Sequence, residues 1–66
     1  MPYYQLYAEY HPGAWQLICD TNEPTEVLAC MRAMRTDPAT YGAARKLKVD
    51  GGDVDILAWQ ESALAQ

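Results

Sequence analysis

Three groups of residues in this 66-residue chain have the types and spacing to do chemistry. The first is Pro2. With Met1 removed, its nitrogen becomes a secondary amine, and such an amine acts as a general base when its surroundings lower its pKa. The second is a pair of carboxylate clusters, Asp20, Glu23 and Glu26 in one and Asp50, Asp53 and Asp55 in the other. Clustered acids either hold a hard cation or present negative charge to a cationic partner. A calcium loop needs oxygen ligands at alternating positions, and Gly52 and Val54 occupy them here. With no Cys-x-x-Cys motif and no histidine pair for zinc, neither a metal nor any other cofactor is expected, and charge presentation remains. The third group is aromatic: Tyr3, Tyr7 and Trp59, residue types that anchor interfaces when they stand on an open face.

Other chemistry is poorly provided for. Ser62 and His11 are the sole serine and histidine, one in the tail and one in a turn, so a hydrolytic triad has no parts. Cys19 and Cys30 fall on apolar faces of the predicted elements and read as small buried hydrophobes; a redox role would follow if they approached each other.

Half the residues are apolar and 21 % are charged, which places the chain among globular proteins rather than disordered ones. The longest apolar run, Val27 to Met31, is five residues, far short of a membrane span. The first 31 residues contain neither Lys nor Arg, so no signal peptide is expected, and two cysteines fit a reducing cytoplasm. The net charge of −4 conceals three blocks. Residues 1–31 carry four acids and no base, residues 32–48 carry all five cations and one acid, and residues 49–66 carry four acids and no base. Either the fold separates these blocks into a dipolar surface, or it interleaves them. The acidic balance disfavours direct nucleic-acid binding, which draws most of its affinity from cations.

The elements follow from periodicity and turn chemistry. Residues 3–10 alternate as a strand, with Tyr4, Leu6, Ala8 and Tyr10 on one face and Tyr3, Gln5, Tyr7 and Glu9 on the other. His11-Pro12-Gly13 is a turn, and residues 14–20 form a second strand with Trp15, Leu17 and Cys19 on one face. The predicted register sets Tyr10 opposite Trp15, Ala8 opposite Leu17 and Leu6 opposite Cys19 on the apolar face. Glu9 then lies opposite Gln16, and Gln5 opposite Asp20, on the other. Residues 21–26 read as a helix start, with Asn22 or Glu23 as cap and Pro24 near the first helical position. Val27, Leu28, Met31 and Met34 supply the apolar stripe, and Pro38 ends the helix near Thr36. Asp37-Pro38 also offers the cap of a short second helix through Ala43 or Ala44. Around Asp50-Gly51-Gly52-Asp53 the sequence predicts a hairpin of residues 46–50 and 53–60. Val49 would face Val54, Leu47 Ile56 and Lys48 Asp55, with Leu57 and Trp59 on the outer face. The tail 61–66 is helix-prone but too short to fold alone. The sum is an α+β fold, ββαββ, with an antiparallel sheet of about four strands and one amphipathic helix on one face, in a single domain over 1–66.

Two resemblances bear on function. The start Pro2-Tyr3-Tyr4-Gln5-Leu6-Tyr7 looks like the tautomerase superfamily, small proteins that begin with a strand and use an N-terminal proline as general base. That likeness implies an enzyme with Pro2 as the base and Arg32, Arg35 or Arg45 left to bind a substrate carboxylate. It covers the first seven residues and ends at Pro12-Gly13, where a turn and a second strand replace the long helix of that family. At the level of class rather than motif, a tiny acidic α+β domain without catalytic groups resembles the small phage-encoded inhibitors, anti-CRISPR proteins among them. This likeness carries no residue across. It implies a docking protein in the cytoplasm of a bacterial host, where its partner is a nucleic-acid-handling complex whose DNA-binding surface it blocks. The residues expected to dock are Asp20, Glu23, Glu26, Asp50, Asp53 and Asp55, with Tyr3, Tyr7 and Trp59. Ile18 and Leu57 are further candidates for the outer sheet face, and a homodimer that buries that face is the simpler alternative.

Overall fold

The computed structural model describes residues 1–40 and 42–65. Strand β1 spans Tyr4–His11, β2 Ala14–Thr21, helix α1 Pro24–Thr36, β3 Ala44–Val49, β4 Gly52–Val54 and helix α2 Ile56–Leu64. The four strands make one antiparallel sheet in the order β2-β1-β3-β4. The α+β architecture expected from the sequence is therefore present, with a second helix added at the C-terminal end.

Period-two alternation in β1 does what its sequence prescribes. Tyr4, Leu6 and Ala8 are buried, while Gln5, Tyr7 and Glu9 on the opposite face are half-buried. The inner face carries the core: Leu6, Val27, Met31 and Leu47 are each at most 1 % exposed, with Tyr4, Ala8 and Met34 beside them. Helix α1 contributes Val27, Met31 and Met34, the i, i+4, i+7 stripe of an amphipathic helix.

The helix start differs from a simple side-chain cap. Glu23 is the N-cap but its carboxylate bonds no helix backbone, and Pro24 opens the first turn, where its missing N–H costs nothing. The hydroxyl of Thr21 accepts from the Glu23 N–H at 3.0 Å and donates to the Glu26 carboxylate, which ties the end of β2 to the first turn. The helix ends at Thr36, as the residue before Pro38 must leave helical geometry: Asp37 has φ −90° and ψ 116°. The short helix expected from Asp37-Pro38 to Ala43 or Ala44 does not form among the described residues. Residues 38–40 are a turn, held by the Thr40 hydroxyl donating to the Met34 carbonyl at 3.0 Å, and β3 has begun by Ala44; Tyr41 lies outside the described residues.

Both predicted hairpins exist, and both are corrected in register. In the first, Gln5 faces Asp20 and Leu6 faces Cys19 as expected, but Tyr7 then faces Leu17, Ala8 faces Gln16 and Glu9 faces Trp15. Ile18 is the extra residue of a β-bulge. The bulge lets two consecutive residues, Ile18 and Cys19, pack against the core, and it turns Leu17 and Trp15 onto the outer face. The second hairpin closes earlier than predicted. Asp50 (φ 53°) and Gly51 (φ 84°) both occupy the left-handed region that a two-residue mirror-image turn demands. The register is thus Val49–Gly52, Lys48–Asp53 and Leu47–Val54, and β4 stops at Val54. Residues 55–60 are not strand. The Asp55 carboxylate accepts from Leu57 N at 3.0 Å and Ala58 N at 3.3 Å, capping α2. This helix carries Trp59 to the inner side, against Tyr4, with ring centroids 5.4 Å apart and planes inclined at 60°.

Candidate docking surface

With α1 packed on β1 and β2 and Trp59 of α2 against Tyr4, the helices lie on the inner face, and the outer face is left open. Its residues follow from the ladder pairings in rows across the strands. One row runs Asp20, Gln5, Lys48, Asp53; the next holds Leu17, Tyr7 and Lys46; the third holds Trp15, Glu9 and Ala44. The Lys46 ammonium lies over the Trp15 ring at 4.6 Å and the Tyr7 ring at 5.5 Å, a cation held between two aromatic faces. Trp15 and Leu17 are 38 % and 43 % exposed. The middle of the face is therefore apolar and aromatic, with Lys46 lying across it.

At the end of the face where β1 begins, Tyr3 draws the two acid clusters together. Its N–H donates to the Asp50 carboxylate at 3.0 Å, and the Asp50 N–H donates to the Tyr3 carbonyl at 2.8 Å. Its hydroxyl donates to the Asp20 carboxylate at 2.8 Å. That hydrogen bond, with a smaller contribution from burial and from the charge of Asp20, holds the Tyr3 phenol above its ordinary pKa. Asp53 stands in the Asp20 row, three strand spacings away and so about 14 Å off. Glu23 is exposed at the helix start close by in sequence. Acids separated by 30 residues in the chain thus share one edge of the molecule.

The remaining candidates are placed as follows. Glu26 is engaged by the Thr21 hydroxyl, and Asp55 by the backbone of α2, so both carboxylates have structural partners. Tyr7 is on the outer face as predicted. Trp59 is not: it is half-buried on the inner side, because residues 56–64 are helical. Leu57 is 66 % exposed on that helix rather than on a strand, and Ile18 packs inward. Pro2 is exposed at the acidic end, its carbonyl accepting from the Asn22 side chain at 3.0 Å. Arg35 and Arg45 line an open cleft of about 360 Å³ with Met34 and Thr40. Arg45 pairs with Ala8, four positions along β1 from the Tyr4 row beside Pro2, or about 13 Å. Trp15, Leu17 and Lys46 are members of the face that sequence reasoning missed. The regular alternation of Trp15, Leu17 and Cys19 signals one common side, and no residue type marks the bulge that divides them.

No protein-family model, no curated protein and no solved structure matches the chain. Among the described residues no group of three or more His, Cys, Asp or Glu side chains is placed to hold a metal ion, and no helix is long and apolar enough to cross a membrane.

Proposed function

We propose that this protein is a docking inhibitor. Its acid-rimmed sheet face occupies the phosphate-binding surface of a nucleic-acid-handling partner, in the manner of the small phage-encoded anti-CRISPR proteins. The observation that carries the reading is the convergence of Asp20 and Asp50 on Tyr3, with Asp53 on the same edge, beside an open face of Trp15, Leu17 and Tyr7. Carboxylates on a rigid sheet take the place of phosphates in a Lys- and Arg-lined channel, which steers encounter and sets orientation. The aromatic centre of the face then supplies the desolvated contact area that gives an interface its slow dissociation. No chemistry is required of Pro2 in this reading, so its amine is free to be blocked.

The test is capture of the partner from nuclease-treated bacterial lysate, followed by competition between this protein and DNA for the captured partner. A triple variant, Asp20→Asn, Glu23→Gln and Asp53→Asn, is expected to lose at least about tenfold in affinity. The wild-type complex is expected to weaken steeply with added salt, as exposed charge pairs do within a Debye length of about 8 Å at physiological ionic strength. Retaining or acetylating Met1 should change neither. Full affinity in the triple variant, or binding indifferent to salt, would sink the electrostatic mechanism. An activity that vanishes when the Pro2 amine is blocked would favour an enzyme instead.

A further inference from the structure

Cys19 and Cys30 lie on the two surfaces that meet between β2 and α1. Cys19 is paired with Leu6 on the inner face of the sheet, and Cys30 belongs to the same helical stripe as Val27, Met31 and Met34. Both pack against the core while remaining half-exposed, and both are free thiols. They also stand at matching distances from the corner where strand turns into helix. Cys19 precedes the last residue of β2 by two positions, about 7 Å of strand, and Cys30 follows the first residue of α1 by six, about 9 Å of helix. The two thiols thus lie on facing surfaces at the same level of the β2–α1 seam, and Cys30 is among the groups that act on the Cys19 proton.

We propose that this pair is a site of covalent modification: Cys19 and Cys30 close into an intramolecular disulfide that fastens α1 to β2. The oxidant is a low-molecular-weight disulfide of the glutathione type. The thiolate of Cys30 attacks one sulfur of that disulfide, forming a mixed disulfide and expelling one small thiolate. Cys19 then gives up its proton to solvent and attacks the Cys30 sulfur, expelling the second small thiolate. Two protein thiols are thereby oxidised by two electrons, and one disulfide is reduced to two thiols. Burial, the facing Cys30 and the carboxylates of Glu26 and Asp20 push the Cys19 thiol up to about 11, so its closing step is slow at neutral pH. The pair is a slow latch rather than a fast sensor. The loop it closes contains Asp20, Glu23 and Glu26, so closure would fix the acidic corner as well as the helix.

The test uses the full chain equilibrated in glutathione buffers of graded reduced-to-oxidised ratio, with products weighed by mass spectrometry, both in native buffer and in urea. The expected native product is a monomer lighter by two hydrogens, with a higher melting temperature that reverts on reduction. It should persist at a ratio at least about tenfold more reducing than the unfolded chain tolerates, since a native disulfide and the fold stabilise each other. Cys30→Ala should yield only a glutathione adduct. Should that variant fail to fold, the comparison of native with urea-treated wild type decides alone. Disulfide-linked dimers or stable glutathione adducts as the main wild-type products, or equal ratios in native buffer and urea, would overturn the proposal.

Discussion

At the scale of single residues, roles depend on which neighbour reaches which atom. Tyr3 looks like one more strand aromatic, yet its backbone and hydroxyl gather Asp50 and Asp20 from the ends of the two strands that flank β1. Cys19 looks like a core hydrophobe, yet it faces the helix that carries a second thiol, Cys30. That environment has a consequence for alkaline stability. The Cys19 pKa rises from 9.0 to about 11 on folding, so the folded state binds this proton more tightly than the unfolded state. Its contribution is whole below pH 9 and is lost as pH climbs from 9 towards 11. Wild type should therefore lose more stability than Cys19→Ala across that window, in urea melts recorded at each pH under reducing conditions. Parallel curves for the two proteins would contradict the assignment.

At the scale of elements, the sequence is readable where local chemistry dictates geometry and misleading where packing chooses between two local solutions. Pro24 and Pro38 bracket α1, and Asp50-Gly51 sets a two-residue turn, because proline and left-handed backbone leave few options. Residues 53–63 carry two signals at once. Val54, Ile56 and Leu57 suit a strand, whereas Leu57, Ala58, Gln60, Glu61 and Ala63 are strong helix formers. The early turn and the Asp55 carboxylate decide for helix, and the decision moves Trp59 from the outer face to Tyr4. Removing the cap should show its worth. Asp55→Ala is expected to cost about 1 kcal/mol by denaturant melting, within the usual range of about 0.5–2 for a lost N-cap. Asp55→Asn and Asp55→Ser should recover most of it, which a simple loss of surface charge would not explain. The bulge at Ile18 is the opposite case: Trp15, Leu17 and Cys19 are apolar at every second position and suggest one common face, and only the demand that Ile18 and Cys19 both reach the core sets them out of phase. The acidic edge was half legible for the same reason. Its members were evident from charge, but their meeting depended on strand order.

At the scale of the whole molecule, a small core supports everything. Four side chains, Leu6, Val27, Met31 and Leu47, are fully enclosed, and a domain of this size has roughly 3–10 kcal/mol of total stability at typical per-residue values. A Leu-to-Ala change at such a site costs about 2–5 kcal/mol. Leu6→Ala, in the central strand β1, should therefore abolish or nearly abolish a cooperative thermal transition, whereas Leu57→Ala on the exposed side of α2 should leave it within a few degrees. The charge blocks are resolved at this scale too. All five cations come from α1 and β3, but β3 lies inside the sheet beside β1, so Lys46 and Lys48 share the outer face with Asp20, Glu9 and Asp53. The surface is interleaved there and acid-dominated only at the Tyr3 end.

The irregularity in β2 also bears on how these molecules behave towards one another in concentrated solution. β2 is an outermost strand of eight residues and carries a single charge, Asp20, in a form that would template the addition of another chain along its free backbone groups. The unpaired Ile18 breaks that template in the middle. An incoming strand that matches the backbone on the Asp20 side falls out of step on the Trp15 side, so neither half offers enough consecutive bonds to propagate. At the other margin β4 is only three residues long, too short to seed growth. The same kink that places Trp15 and Leu17 on the open face thus blunts the chain's tendency to polymerise into fibrils.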